Sequence, residues 1–393
     1  MNILYLSERN PIDVHFGGAQ RTHFIWESLK RIGKVYSVYF TEGPSIQDDK
    51  NHIYGIHKNE KSNIIRRVEH KVVISLQLIP LTLMKADCDG IFDDLLSKVK
   101  FDIIVARYCF DYARFHLWKL SLPVIVDFDD HPMQVYDTLG RYKVRPCLRG
   151  VARMILKHQL KYVQRKIDLG LLSNPNQTSL LKTKQASRAL PNIAVNPSKQ
   201  YMEKKMNRSQ KIFTVGTMYY PPNYKGVEIF LSEIWPKFHE VFPDISYEII
   251  GRGLPEEYVM KWSKLDGVVY RGFLDDIESE YEACLATVVP IYAGGGTAIK
   301  TLESLAFSRI CLCSPFGARG LVDYSNKIGA HIFHSADEFI MLFKHHVLNN
   351  TLRESEEKRA KQYINDNYSL SSFETIISNS INSVLYEYSS LNR

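Results

Sequence analysis

Short apolar runs alternate with amphipathic helical stretches along almost the whole chain, and no other feature limits the fold so strongly. It is the pattern of parallel sheets covered by helices on both faces. In the first half, 3–6, 35–40, 102–106, 124–128 and 169–172 read as strands, with helices at 19–31 and 91–98. A polar, Lys- and Asn-rich stretch over about 192–210 interrupts the pattern and reads as a linker. The scheme then repeats, with strands at 212–215, 246–250, 268–270, 285–289 and 310–313 and helices at 227–241, 255–264, 298–307 and 336–346. Each half predicts a Rossmann-like, doubly wound α/β domain, and 393 residues suffice for two cores. The expected domains are 1–195 and 205–369, followed over 370–393 by a helix carrying Phe373, Ile376, Ile377, Ile381, Val384 and Leu385 at helical spacing.

Ligands of open α/β sheets bind beyond the carboxyl ends of the strands. In the second half those ends carry Gly216, Gly251-Arg252-Gly253, Arg271-Gly272, Gly294-Gly295-Gly296 and Ser314-Pro315-Phe316-Gly317. The triple-glycine run is the most informative, because it joins a strand to the helix that contains Thr297, Lys300 and Glu303. Glycines let the backbone approach a ligand, and a helix N-terminus offers N–H groups and a positive dipole end to phosphate. Thr297 suits the helix cap, Lys300 a diphosphate and Glu303 ribose hydroxyls; the plain alternative is a glycine turn with a solvated Lys and Glu.

From Phe213-Thr214-Val215-Gly216-Thr217-Met218 through Pro315-Phe316-Gly317-Ala318-Arg319-Gly320-Leu321, the chain resembles the donor half of family 4 glycosyltransferases, retaining enzymes of the GT-B fold. Gly-Gly-Gly-Thr, Lys300 and Leu302-Glu303 are similar to the bacterial polysaccharide-assembly branch. The resemblance implies two Rossmann-like domains facing a central cleft, a terminal helix crossing back to the first, a nucleotide-sugar donor, and no metal or other cofactor. Glu303 then matches the second glutamate of the family's E-X7-E motif, and Gly295 stands where the first would be. Lys300 is the first choice for the diphosphate and Lys225 the second; Gly216, Gly295, Gly296 and Thr297 complete the donor site. Asn223 reads as a helix cap, and Arg252 as a contact to base or phosphate or else a solvated loop arginine.

In the first half, Phe16-Gly17-Gly18-Ala19-Gln20-Arg21 follows the first strand; Gly18 is assigned to the donor, Gly17 and Arg21 to the acceptor side. The other landmark is Asp127-Phe128-Asp129-Asp130-His131 at the end of a buried strand. In relatives a His-Asp pair faces the sugar there, and the register puts Asp129 and Asp130 at those places, with His131 one step on toward the acceptor. Asp127 and Asp129 share a face of an ideal strand and Asp130 lies on the other. Asp129 is the expected polar group at the reacting centre, either as a base or as an orienting group, with Asp130 in support; loop-capping aspartates are the alternative.

The formal charge of +7 is moderate, but between Arg141 and Lys166 there are nine Lys or Arg and no acid. The apolar residues Val151, Ile155, Leu160, Val163 and Ile167 there suit an amphipathic helix, so an anionic membrane surface is a candidate partner and a solvated basic face the alternative. Nucleic acid is not expected, because no aromatic platform or groove motif accompanies the basic residues. The apolar run over 72–84 contains Pro80 and falls short of the roughly 20 residues a spanning helix needs. Ser7-Glu8-Arg9 follows too early for a secretory leader, and the six cysteines are scattered, so a cytoplasmic protein, peripheral on the inner membrane face, is expected. The expected activity is sugar transfer to a glycan or lipid-linked saccharide; a non-catalytic nucleotide-binding or partner protein on the same fold is the alternative.

Overall fold

The computed structural model describes residues 1–13, 17–41, 43–57, 90–115, 117–143, 146–194, 208–293, 297–322, 324 and 328–391. The apolar run 72–84, most of the expected linker, and Gly294, Gly295 and Gly296 lie outside them. The chain divides into two units, Met1–Asn192 with Leu370–Arg393, and Ile193–Ser369.

In the first unit the strands are β1 (Asn2–Ser7), β2 (Lys34–Thr41), β3 (Ile46–Asp48), β4 (Ile53–His57), β5 (Ile103–Arg107), β6 (Val124–Asp129), β7 (Leu169–Leu172) and β8 (Arg188–Ala189), in the sheet order β3-β4-β2-β1-β5-β6-β7-β8. Every pairing is parallel except the β3–β4 hairpin. All five residues of β5 are buried, as a strand covered on both faces requires. The unit's helices are α1 (Gly17–Lys30), α2 (Ile91–Lys98), α3 (Cys109–Arg114), α4 (Pro132–Lys143) and α5 (Arg149–Gln164). Helix α5 buries Ala152, Leu156, Leu160 and Val163, leaving Val151 and Met154 exposed. Val151 therefore lies on the opposite side from the apolar face expected for it.

The second unit contains β9 (Lys211–Val215), β10 (Ser246–Ile250), β11 (Val268–Gly272), β12 (Ala286–Val289), β13 (Cys311–Cys313) and β14 (Ala330–Ile332). Its sheet order is β11-β10-β9-β12-β13-β14, all parallel. The helices are α6 (Pro221–Glu233), α7 (Trp235–Val241), α8 (Glu256–Trp262), α9 (Glu278–Ala283), α10 (Ile299–Ala306), α11 (Ala336–Leu342) and α12 (Asn350–Asn367), with a π-helical turn, Phe343–Val347, after α11. The helix expected over 227–241 is two helices, because the ring of Pro236 removes an N–H and the chain bends at Ile234.

The last helix, α13 (Leu370–Leu391), follows the second unit in sequence but belongs to the first. It buries Phe373, Ile377, Ile381 and Val384, pairs Glu374 with Arg31 at 2.9 Å, and receives Arg188 on Ser383 at 2.8 Å. The two doubly wound sheets and this returning helix bear out the expected fold. In each sheet the winding reverses beside the first strand, between β1 and β5 and between β9 and β12, and such reversal points are where these sheets bind ligands. No helix among the described residues is long and apolar enough to cross a membrane.

Candidate functional site

At the second sheet's reversal point the groups converge on Lys300, in the first turn of α10. Its Nζ donates to Asn223 Oδ1 of α6 at 3.1 Å, and Asn223 donates in turn to the Thr217 carbonyl at 2.7 Å. Gly216, just past β9, makes room for it: a Cβ there would lie 2.4 Å from Lys300 Cε. Gly251 after β10 has φ 141°, and a Cβ there would meet the Gly216 carbonyl oxygen at 1.7 Å, so that strand end requires glycine. Glu303 lies one turn along α10.

The electrostatics follow from enclosure. Burial lowers the Lys300 pKa from 10.5 to about 8, opposed by Glu303 and reinforced by the Arg319 guanidinium. Burial raises the Glu303 pKa, opposed by Lys300. Arg319 is anchored by its Nη1 on the Phe316 carbonyl at 2.8 Å, with the guanidinium 5.0 Å from the Phe316 ring centre. Two cations near one carboxylate at a helix N-terminus make a local positive field suited to a diphosphate.

Other residues singled out in this half lie differently. Thr297 does not cap α10: the cap position is Ala298, and the Thr297 hydroxyl donates to the Gly320 carbonyl at 3.3 Å. Asn223 lies inside α6 rather than at its cap. The Lys225 ammonium does not join Lys300; it donates to the Tyr258 hydroxyl at 3.1 Å, near the rings of Tyr224 and Tyr258. Arg252 is exposed, and its carbonyl accepts from Met218 N at 2.9 Å. Arg319 was not singled out from the sequence, although it is a cation in a glycine-flanked strand-end loop like Arg252.

In the first unit a buried ionic network occupies the ends of β1, β5 and β6. Asp127 accepts from Arg21 Nε at 2.9 Å, Arg21 Nη2 at 2.7 Å and Arg107 Nη1 at 2.8 Å, with all three side chains at most 3% exposed. Burial alone would raise the Asp127 pKa, but the two guanidiniums override it and hold the carboxyl below its ordinary range. Arg21 also donates to Asn192 at 2.8 Å. Expected on the acceptor side, it is instead buried and spent on positioning β6.

Asp129 is the accessible acid, with its side chain 20% exposed and Arg107 Nη2 at 3.4 Å. Its φ of 60° and a register shift against β7 end the strand alternation, yet its carboxylate still meets the two guanidiniums that hold Asp127, with Arg21 Nε at 3.6 Å and Arg107 Nη2 at 3.4 Å. Asp130 lies in the following turn, closed by its N–H to the Phe128 carbonyl at 2.7 Å. His131 is buried, its backbone N–H bonded to Gln177 Oε1 at 2.7 Å, and burial lowers its pKa. Its Nδ1 has no hydrogen-bond partner among the described residues. Gly17 and Gly18 are the first residues of α1.

Three further residues join the network. Tyr108 follows β5 with φ 61° and accepts from Arg107 Nη2 at 2.8 Å. Glu8 follows β1, takes the Thr22 hydroxyl at 2.8 Å, and has Arg107 Nε at 3.5 Å. Arg107 thus touches Asp127, Asp129, Tyr108 and Glu8. Left-handed backbone at Tyr108 and Asp129, on adjoining strand ends, costs about 1–3 kcal/mol apiece.

Solved structures share this architecture. Sucrose-phosphate synthase from Thermosynechococcus elongatus matches with a TM-score of 0.69 at 12% identity, covering 98% of this chain and 99% of that one. HepE from Anabaena in complex with UDP matches at 0.66 and 12%, covering 98% and 100%. WaaG, a glycosyltransferase involved in lipopolysaccharide biosynthesis, matches at 0.61 and 13%, covering 95% and 99%. The fold class is therefore GT-B. No curated protein sequence matches the chain. Residues 209–341, within the second unit, match the family Glycosyl transferases group 1, and the resemblance drawn from the sequence is borne out.

Proposed function

We propose that this protein transfers a sugar from a nucleotide-sugar donor to a glycan or lipid-linked saccharide, with retention of anomeric configuration, in bacterial surface polysaccharide synthesis. The observation that carries the reading is Lys300: a lysine enclosed enough to lower its pKa to about 8, at the reversal point of the sheet, in a space that Gly216 keeps open. A half-buried cation with only Asn223 and Glu303 to compensate it fits an anion that arrives with substrate. HepE, solved with UDP and with UDP-glucose, supports a nucleotide-sugar donor.

In this reading the second unit holds the donor. The anomeric carbon loses its bond to the diphosphate and gains one to the acceptor oxygen on the same face. Lys300, Arg319 and the α10 N-terminus stabilise the charge on the leaving group without a metal. The acceptor proton passes to the departing phosphate oxygen, while Asp129, braced by Arg107, orients the acceptor hydroxyl. Lys157, Lys161 and the exposed Val151 and Met154 of α5 form the face proposed to meet anionic lipid.

Purified protein should be stabilised thermally by one member of a UDP-, GDP-, dTDP- and ADP-sugar panel and should slowly release that nucleoside diphosphate, at a rate unchanged by added Mg2+. Stabilisation by none would overturn the reading. Binding without release, even with acceptor extracts, would favour the non-catalytic alternative suggested by Gly295 in place of the first motif glutamate.

A further inference from the structure

We infer that His331, His346 and Glu356 form a binding site in the second unit for one divalent transition-metal ion of the zinc type. The site lies apart from the donor groups and does not rest on the transferase reading. Three separate chain segments supply it: His331 from the middle of the edge strand β14, His346 from the π-helical turn, and Glu356 from α12.

The geometry is close to that of a first coordination shell. His331 Nε2 lies 2.9 Å from Glu356 Oε2, and His346 Nδ1 lies 3.0 Å from Oε1 and 3.2 Å from Oε2. The three candidate ligand atoms all fall within 4.8 Å of one another. A tetrahedral zinc ion with bonds of about 2.0–2.1 Å places its ligand atoms roughly 3.3 Å apart, so the nitrogen–oxygen edges need to open only slightly. The imidazole rings are stacked, with centroids 3.6 Å apart at 21°, so they must reorient for both nitrogens to aim at one ion as it replaces their hydrogen bonds to the carboxylate. Each coordinating nitrogen gives up its proton, to the other ring nitrogen or to solvent, as metal binding to histidine requires.

The π-helical turn Phe343–Val347 ends the helix that α11 begins, and His346 lies within that turn. The donor set also selects the ion: two imidazoles and one carboxylate suit zinc, cobalt or nickel, whereas Mg2+ and Ca2+ take oxygen ligands. The side chains of His331 and Glu356 are 2% and 3% exposed, and that of His346 is 14% exposed, which leaves one side for entry and for a fourth, solvent ligand. Arg359 Nη2, 3.8 Å from Glu356 Oε1, is the nearby competing cation, and its 43% exposure allows it to withdraw into water. An ion here would tie the sheet edge, the π-turn and α12 together, away from the strand ends that carry Lys300.

The test uses the untagged, chelator-stripped full chain. Zn2+ should bind at one equivalent and raise the melting temperature, and Co2+ should show the visible absorption bands of a tetrahedral site. Because His331 is deeply buried and its replacement can compromise folding, the discriminating variants are His346→Gln and Glu356→Gln. Each should weaken Zn2+ by at least about tenfold, since loss of even an outer-shell partner has that effect, and should abolish the cobalt bands. His334→Gln, at an exposed histidine, should change neither. Absence of stoichiometric binding, or binding that survives both variants, would overturn the inference and leave Glu356 as a carboxylate bridging two imidazoles by hydrogen bonds.

Discussion

Replacing Lys300 by methionine should strengthen the free protein while destroying its affinity for donor. The folded Lys300 titrates at about 8 and the unfolded one near 10.5. At about 1.4 kcal/mol per pH unit this difference is about 3 kcal/mol, and because Lys300 keeps some solvent access it is reduced to about 1–3 kcal/mol. Between those two values the unfolded chain holds the proton and the native chain has released it. Wild-type stability therefore rises with pH across that window, and the penalty for charging Lys300 is fully present below about 8. Methionine has a similar length and no charge, so the variant should be more stable at neutral pH by about that amount, with the difference closing toward pH 10.5. Urea titrations of both proteins at several pH values measure the difference directly and cancel the other groups that titrate there. Donor binding needs the ammonium, so wild-type affinity for nucleoside diphosphate should fall as pH rises through about 8, and the variant should show neither the affinity nor the fall. Parallel stability curves for the two proteins, or unchanged nucleotide affinity in Lys300→Met, would refute the argument that a strained cation is held for an anionic ligand.

Three other outcomes follow from named contacts. Asp127→Asn removes the most buried counter-charge of Arg21 and Arg107, leaving them the longer contacts to Asp129 and Glu8, and should cost up to roughly 3–5 kcal/mol in urea unfolding; a loss below about 1 kcal/mol would mean that those contacts or water suffice. Because the Asp127 pKa is depressed, its stabilising contribution is complete above the ordinary carboxylate value and disappears as pH falls through the folded one. Gly216→Ala meets the flexible end of Lys300 and, less closely, the Asn223 amide at 3.2 Å, so stability should change by about 1 kcal/mol or less, while calorimetry should show donor affinity falling at least about tenfold. Asp129→Asn keeps a residue tolerant of left-handed backbone and should fold normally and bind donor, yet lose transfer by about a hundredfold; full transfer activity would remove Asp129 from the reacting centre.

The elements legible in the sequence are those whose signal is local. Strands such as β5, buried along their whole length, appear as largely apolar runs, and α2 and α13 show their helical period within one stretch of chain, α2 with Asp93 and Asp94 in its first turn and Lys98 in its last. The short β3, β8 and β14 carry too few residues for any period and were not legible. The same local logic placed a lysine and a carboxylate after a glycine loop at a strand end. It could not show that Lys300 is held by Asn223, 77 positions away, that Lys225 turns to Tyr258 instead, or that Arg21 is consumed by Asp127 across 106 positions. Nor could it foresee the π-turn that carries His346 to Glu356. Hydrophobic burial is a property of each residue repeated along the chain, so the amino-acid order alone determined two parallel α/β units and a closing helix. Whether a charged side chain meets solvent, a ligand or a buried counterion depends on atoms brought together from distant segments, and only the tertiary structure decided that.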